Sequence, residues 1–476
     1  MFLLLTNAKI KEGLDGILIA KEKIVKIGPS DVLKRMVGGQ VELHDLKGQR
    51  IIPGLIDAHT HLIPFGLELL RPDLKPARSP DDAIDIIKDY IREKRLEGTI
   101  IGYGYDDTNW RRPLERKILD WAFPRRSVLV RRICGHITIA NRSALKMIPH
   151  SVKSVDRKTG VLLERPSLNL DNLFPASDQE LDLAIGLAVR KLLGLGITTI
   201  HDIISSRHLR CYMRYKGVRP RVRAYLFGRD GWNLGQLGIA SRFGDESFKI
   251  MGMKIFLDGS IGARTAALSE PYLDRGGRGR LLITKQKLRA WLKVAEANSL
   301  QLMIHAIGDR AIERVVDLPI GPDNPLRHRI EHAEILFDHL LDKVKKRNLL
   351  LSLQPNFTYF WGRGGGLYEK VLGRGRSRFI NRLRTVERTG LRYGLGSDTM
   401  PPDPEYVLRG ATGHILKEER IDFETVIKAY TEGSSYLAFD ENHLGKIEEG
   451  YYADLVVLRG RGLKASRIVF RGRFFS

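Results

Sequence analysis

Two histidines with one residue between them, His59 and His61, form the first pattern in the chain that could carry chemistry. They follow the mostly apolar residues 51–56, which predict a strand. Because the side chains of a strand alternate between its faces, both imidazoles point to the same side, one pleat apart. Two imidazoles placed in this way can bind one divalent ion. Such a pair is weak evidence by itself, so its place in the fold decides its meaning.

Short apolar or β-branched runs recur through the middle of the chain and alternate with helix-like segments. The helical spacing is clear over 286–298 and 335–346. Eight alternating units predict an α/β protein with a (β/α)8 TIM-type barrel rather than an open Rossmann sheet. The predicted barrel strands are 51–61, 197–201, 222–226, 253–257, 300–305, 328–332, 349–353 and 393–398.

The two ends of the chain and one long gap predict further domains. Short strand-like runs in 1–50 and 440–476 favour one small β-sandwich formed by both termini, because two separate sheets would leave long exposed edges. The gap between the first and second barrel strands is much longer than a strand–helix unit needs. We therefore expect an inserted subdomain over the barrel mouth at 71–179, with the barrel formed by 51–70 plus 180–439.

Four more potential metal ligands lie on or at the ends of the predicted fourth, fifth, sixth and eighth strands. Each has a structural explanation when taken alone, such as a buried histidine with satisfied hydrogen bonds or an aspartate that caps a helix. Jointly they favour a metal site, because barrel active sites form at the carboxyl ends of the strands. These residues are Lys254, His305, His332 and Asp398.

The composition excludes several other classes of protein. Of the 476 residues, 43% are hydrophobic and 28% are charged, which is typical of a globular protein. No apolar run approaches the length that crosses a bilayer, and no targeting segment is evident, so we expect a cytoplasmic protein with no membrane partner. The only cysteines, Cys134 and Cys211, exclude a disulfide framework and a cysteine-based zinc cluster, although one bridge between them stays open.

The formal net charge of +23 is the one unusual bulk property. Nucleic-acid binding is one interpretation, and it predicts salt-sensitive retention on polyanions. However, the basic residues recur along the whole chain, in short pairs such as 111–112 and 131–132, and do not concentrate in one tail or helix. Dispersed charge of this kind favours a basic surface with no specific nucleic-acid partner. An anionic substrate and a homo-oligomer stay open.

Ordered blocks over nearly the whole chain resemble the amidohydrolase superfamily. The resemblance is closer to its amidohydrolase-3 branch, which includes N-substituted formamide deformylase. The clearest blocks are PGLIDAHTHL at 53–62, GHITIANRSAL at 135–145, KIFLDGSIGARTAAL at 254–268, HAIGDRAIE at 305–313, RIEHAE at 329–334 and GSDTMP at 396–401.

The resemblance implies a role for each candidate ligand in binding one or two divalent ions, with zinc as the expected metal. One ion would be held by His59 and His61, and the second by the histidines of strands five and six. Asp398 would bind metal and transfer the proton. Lys254 would be carboxylated on its amine and bridge both ions; if it stays an ordinary ammonium, a one-metal site is expected.

The expected activity is that of a metal-dependent hydrolase of non-peptide C–N bonds in a small-molecule substrate, such as a substituted formamide, an acyl amine or a cyclic amide. A metal-bound hydroxide would attack the carbonyl carbon, with Asp398 as general base and then acid. The alternatives are hydrolysis of another carbonyl or imine bond, as in a lactonase or deaminase, and a catalytically silent metal-binding regulator. Candidate substrate contacts are Asp107, His136, Asp258 and Arg264, although the last two could pair with each other.

Overall fold

The computed structural model describes residues 2–10, 13–37, 41–94, 98–107, 110–132, 137–163, 165–168 and 170–475. They form two compact units. The first unit comprises Met1–Leu62, Val189–Arg210 and Gly217–Ser476, and the second comprises Ile63–Ala188 and Cys211–Lys216. The domain boundaries given above stay a prediction.

Strands and helices alternate through most of the chain. In the described residues the strands are β1 (Phe2–Thr6), β2 (Gly16–Ala20), β3 (Lys23–Gly28), β4 (Val41–Asp45), β5 (Ile51–Pro53), β6 (Leu55–Thr60), β7 (Ile100–Tyr105), β8 (Val128–Arg132), β9 (Ile137–Ala140), β10 (Val155–Asp156), β11 (Val161–Leu163), β12 (Ile197–Ile204), β13 (Arg221–Phe227), β14 (Phe243–Asp245), β15 (Phe248–Phe256), β16 (Gln301–Ala306), β17 (Arg329–His332), β18 (Leu350–Leu353), β19 (Tyr393–Leu395), β20 (Leu455–Leu458), β21 (Ala465–Phe470) and β22 (Arg473–Phe475).

The helices within the same residues connect these strands. They are α1 (Ser30–Val37), α2 (Leu62–Leu69), α3 (Pro80–Lys94), α4 (Arg116–Ala122), α5 (Arg142–Met147), α6 (Arg165–Leu168), α7 (Leu170–Leu173), α8 (Asp178–Gly194), α9 (Ser206–Arg214), α10 (Gly228–Gln236), α11 (Lys285–Ala297), α12 (Asp309–Val316), α13 (Asp338–Lys346), α14 (Pro355–Trp361), α15 (Leu367–Ser377), α16 (Leu383–Thr389), α17 (Pro404–Thr412), α18 (Phe423–Lys428) and α19 (Ser434–Leu437). Ala429–Gly433 forms a π-helical turn between α18 and α19.

Eight parallel strands form the barrel of the first unit. They lie side by side in the order β6, β12, β13, β15, β16, β17, β18 and β19. The barrel closes between β19 and β6, just beyond the end of β19. There the backbone N–H of Asp398 donates to the carbonyl of His59 at 2.9 Å. The predicted (β/α)8 barrel is therefore confirmed.

The first predicted barrel strand differs from the observed one, because residues 51–61 divide between two sheets. β5 pairs antiparallel with β20, whereas β6 enters the barrel beside β12. The break falls at Gly54, whose N–H donates to the carbonyl of Asp454 at 2.6 Å. A Cβ on Gly54 would lie 2.1 Å from the hydroxyl oxygen of Thr198, so only glycine allows this close approach.

The two termini build two four-stranded sheets with a common core. One sheet has the order β3-β2-β1-β4 and the other β22-β21-β20-β5. The second sheet thus joins a strand that precedes the barrel to strands that follow it. This arrangement confirms the β-sandwich formed by both ends of the chain. The buried side chains shared by the two sheets include Leu3, Leu5, Ile17, Ile19, Leu455, Val457 and Val469.

The terminal core offers a direct test by truncation. Replacing Leu455, which is 0% exposed, by alanine is expected to lower the free energy of unfolding by about 2–5 kcal/mol, because a cavity replaces buried methyl groups. Urea denaturation followed by circular dichroism measures the change. The matched control is Leu43→Ala on β4, where the side chain is 51% exposed and a change within about 0.5 kcal/mol is expected. Equal effects of the two substitutions would contradict a shared terminal core.

The second unit contains a five-stranded sheet with the order β10-β11-β9-β8-β7. Because strand side chains alternate, β8 contributes to two cores: Val128 and Val130 pack with residues of α3 such as Ile87, and Leu129 packs with α5 residues such as Leu145. The predicted inserted subdomain after the first barrel strand is thereby confirmed. Within the part of the chain that the structure describes, no helix is long and apolar enough to span a membrane.

Candidate metal centre

Three of the six predicted ligands meet where β6 adjoins the segment after β19. The Nε2 atom of His61 lies 3.2 Å from Oδ1 of Asp398, and Nε2 of His59 lies 3.5 Å from the same oxygen. The hydrogen bond that closes the barrel, between the Asp398 amide and the His59 carbonyl, fixes the two segments at this distance. Two imidazole nitrogens and one carboxylate oxygen are thus grouped at the carboxyl end of the first strand.

The fifth and sixth barrel strands bring two more histidines to the same place. The ring of His332 is centred 4.7 Å from that of His59 and 4.5 Å from that of His305. One ligand atom each from His59, His332 and Asp398 lies within 4.8 Å of the other two, a spacing that one ion could bridge. His305 differs from the others, because its Nε2 lies 3.1 Å from the carbonyl oxygen of Gly259, and binding metal through that nitrogen would require giving up this contact.

Lys254 supplies the sharpest test of whether these residues fit a metal. Its side chain is almost completely buried, and its Nζ has no hydrogen-bond partner among the described residues; the same is true of Nδ1 of His332. Buried polar atoms without partners are costly. A metal ion beside them would remove that cost, directly at an imidazole nitrogen and through a carbamate at the lysine. The donor set of imidazole nitrogens and carboxylate oxygen also suits a divalent ion such as zinc.

The electrostatics of the site favour a cation-binding state. Burial lowers the pKa of His59 and His332 well below the ordinary value, and lowers the pKa of His305 to about 3. Burial likewise lowers the pKa of Lys254 to about 8. The buried imidazoles are therefore neutral at physiological pH, and the neutral imidazole is the form that binds metal.

The backbone is left-handed at two of the candidate ligands. His332 has φ 70° and Asp398 has φ 54°, and in each case the next residue, Ala333 or Thr399, is also left-handed. Residues other than glycine rarely adopt this conformation, and where they do so it clusters at functional sites. In a regular strand His332 and its neighbour Glu331 would face opposite sides, yet both side chains approach His59. The left-handed turn at His332 explains how both can do so.

Sequence reasoning missed a buried carboxylate, Glu331, that orients His59. Its Oε2 lies 2.6 Å from Nδ1 of His59, and its Oε1 accepts from Nε of Arg329 at 2.6 Å. Arg329 in turn contacts Nδ1 of His201 at 2.9 Å, and neither Arg329 nor Glu331 is exposed. Burial alone would raise the pKa of Glu331, but the neighbouring guanidinium outweighs it, so the pKa is lowered. An acceptor at Nδ1 leaves Nε2 of His59 available for an ion.

A second buried carboxylate, Asp57, joins β6 to the segment that carries Asp398. It accepts hydrogen bonds from the His59 amide at 3.1 Å, the Ser397 amide at 2.9 Å and the Ser397 hydroxyl at 2.5 Å. The hydroxyl of Tyr430, on the π-helical turn, donates to it at 3.3 Å. Burial raises the pKa of Asp57 to about 7. A signal for both missed carboxylates was present in the sequence, since Asp57 stands two residues before His59 and Glu331 directly before His332.

The two substrate-contact candidates after the fourth strand do not pair with each other. Arg264 binds Asp274, with Nη2 2.6 Å from a carboxylate oxygen. Asp258 is buried, and its Oδ1 lies 3.5 Å from Nε2 of His305. Its carboxylate also accepts hydrogen bonds from backbone amides of the surrounding loops. As substrate contacts, both residues stay predictions. The backbone N–H groups that donate to Asp258 belong to Ala267, Ile307 and Gly308.

The remaining two candidates belong to the inserted segment. Asp107 accepts a hydrogen bond from Nε of Arg132 at 2.8 Å, within the second unit. His136 lies outside the described residues. The roles of both in binding substrate therefore stay predictions.

A (β/α)8 barrel with histidines and an aspartate grouped at its strand ends is an architecture that metal-dependent hydrolases use. The sequence model described as "Amidohydrolase family" matches residues 42–468. The protein is 28% identical to YtcJ of Bacillus subtilis (strain 168), over 91% of this chain and 88% of that one. It is 23% identical to the N-substituted formamide deformylase of Arthrobacter pascens, over 93% of this chain and 89% of that one.

A solved structure agrees with these sequence matches. An uncharacterized metal-dependent hydrolase from Pyrococcus furiosus superposes with a TM-score of 0.84 at 28% identity, over 98% of this chain and 100% of that one. The chain belongs to the amidohydrolase family. It is a metal-dependent hydrolase, as the sequence blocks predicted.

Proposed function

We propose that the protein hydrolyses a non-peptide C–N bond in a small molecule, such as a substituted formamide, an acylated amine or a cyclic amide. The observation that carries the proposal is the single Asp398 carboxylate oxygen that lies 3.2 Å from His61 and 3.5 Å from His59. This grouping supports a bound cation with a proton acceptor directly beside it. Similarity to the N-substituted formamide deformylase supports the type of bond.

The roles of the residues follow from their chemistry. A divalent ion, zinc in the first instance, would activate a water molecule and polarise the carbonyl oxygen of the substrate. Asp398 would take the proton from the attacking water and pass it to the leaving nitrogen, which carboxylates in this position can do. With its side chain 14% exposed, Asp398 can reach both water and substrate. The residues that would hold one or two ions are His59, His61, His305, His332 and Asp398, together with Lys254 as a carbamate.

Metal removal tests the proposal. Treatment with a chelator is expected to reduce release of amine from N-formyl and N-acyl amines to the uncatalysed background, and added zinc or manganese is expected to restore it. The same proteins are also tested with a lactone, by release of acid, and with an aminated heterocycle, by release of ammonia, so that the alternative bond types are measured alongside the amides. Full activity of protein shown to be metal-free by mass spectrometry would contradict the proposal.

A pair of histidine variants serves as the matched control for the metal site. His59→Asn is expected to lose both bound metal and hydrolysis, because one buried ligand is removed. His44→Asn, on β4 outside the barrel, is expected to keep both, since the partner of His44 is the side chain of Glu42, at 2.7 Å. Equal metal content in the two variants would show that His59 is not a ligand.

A further inference from the structure

Two neighbouring barrel strands end in exposed phenylalanines. β13 ends at Phe227 and β15 at Phe256, and these side chains are 39% and 37% exposed although the six residues before each of them are buried. In the register of the barrel, Phe227 lies opposite Lys254, and Phe256 lies opposite His305. Each ring therefore lies next to a candidate ligand on the adjacent strand.

The alternation of strand side chains gives the direction in which the two rings point. Phe227 shares a face of β13 with Tyr225. The Tyr225 ring contacts the ring of His201 on the adjacent strand β12 and the guanidinium of Arg329 on β17, three strands away in the sheet. Tyr225 therefore points into the barrel. Phe256 shares a face with Lys254. Each phenylalanine thus continues an inward-facing row by one pleat, towards the carboxyl end of the barrel where barrel active sites form.

Direct contacts connect Phe256 with the candidate metal centre. The centre of its ring lies 4.8 Å from Nζ of Lys254 and 5.3 Å from the centre of the His305 ring. A molecule whose reacting atoms reached these ligands would pass against the Phe256 ring. Because burial of apolar surface is favourable, such a ring binds an apolar group better than a polar or charged one.

We propose that Phe227 and Phe256 form an aromatic wall of the substrate site, and that the substrate carries an apolar group, aromatic or aliphatic, next to the bond that is broken. This inference rests on the proposed amide hydrolysis and narrows its substrate class. Amides with only a small substituent leave both rings exposed to water. They are therefore poorer substrates than amides whose substituent covers the wall.

Matched amides test the wall through kinetics. The wild-type protein is expected to have a kcat/KM for N-benzylacetamide, or for N-methyl-2-phenylacetamide, at least about tenfold above that for N-methylacetamide, because an aromatic contact adds to the burial of area. Phe256→Ala is expected to lower kcat/KM for the better phenyl-bearing amide about tenfold, mainly by raising KM. For N-methylacetamide, the same variant is expected to change kcat/KM by less than about twofold. Phe227→Ala is expected to act in the same direction, and Phe256→Leu to retain part of the preference.

The control is Phe243→Ala on β14, where the phenylalanine side chain is 60% exposed. This substitution is expected to leave kcat/KM for both amides unchanged. Calorimetric binding of N-benzylacetamide separates the wall from the activity. If no amide is hydrolysed, the proposed function fails, and weaker binding to Phe256→Ala than to wild type would still support the wall. Three results would overturn the aromatic wall. Phe256→Ala could lower kcat/KM equally for both amides, or bind N-benzylacetamide as tightly as the wild type. Phe243→Ala could also have the same effect as Phe256→Ala.

Discussion

Asp398→Asn is expected to reduce kcat for amide hydrolysis by a factor of about 10³ or more while the protein keeps most of its metal. The amide has nearly the shape of the carboxylate, and its oxygen can still face the histidines, but it cannot take a proton from water. Positioned general bases contribute roughly 10²- to 10⁴-fold to catalysis, and this aspartate would act twice in each turnover, as base and then as acid.

The measurement is kcat together with metal content and thermal stability. Asp403→Asn provides the matched control, since Asp403 caps α17 by accepting from the amide of Glu405 at 3.0 Å. Its loss is expected to leave kcat unchanged, and asparagine is itself a good capping residue. Unchanged kcat in Asp398→Asn would refute its role in proton transfer. Loss of the metal together with the activity would show instead that Asp398 acts chiefly as a ligand.

The barrel and its candidate ligands could be predicted from the sequence because both leave local signals. Apolar runs of strand length repeat eight times, and the ligands stand at the ends of those runs. The division of residues 51–61 between two sheets left a weaker signal. Gly54 marks the break, but its cause is the close approach of Thr198 and the carbonyl of Asp454, both distant in sequence.

The buried carboxylates around the ligands could not be given partners from the sequence. Glu331 directly precedes the predicted ligand His332, which marks it as a candidate, but it is 272 residues away from His59, and nothing in the sequence names that partner. Glu331 and Arg329 share a face of β17, but only the closed barrel brings His59 and His201 to them. The pairing of Arg264 with Asp274 instead of Asp258 has the same origin, since a loop conformation decides which carboxylate is within reach.

Glu331→Gln is expected to destabilise the barrel interior strongly. Arg329 is 0% exposed and would keep its charge after the substitution, but the carboxylate that neutralises it would be gone. Breaking a buried ion pair by removing one partner typically costs about 3–5 kcal/mol, because the remaining charge is buried without compensation. The same change replaces the charged acceptor at Nδ1 of His59 with a neutral amide. Loss of such a partner behind a metal ligand typically weakens metal binding by about 10- to 100-fold.

Two measurements separate these effects: the free energy of unfolding of the metal-free protein, and metal affinity by competition with a chelator. The control is Glu424→Gln, because Glu424 also forms a two-point contact with an arginine, Arg50, but is 68% exposed. Exposed pairs contribute about 0–1 kcal/mol, so this variant is expected to unfold and bind metal like the wild type. If Glu331→Gln matches the control in stability, the buried pair with Arg329 does not stabilise the barrel. If metal affinity alone is unchanged, Glu331 supports the barrel interior without orienting His59.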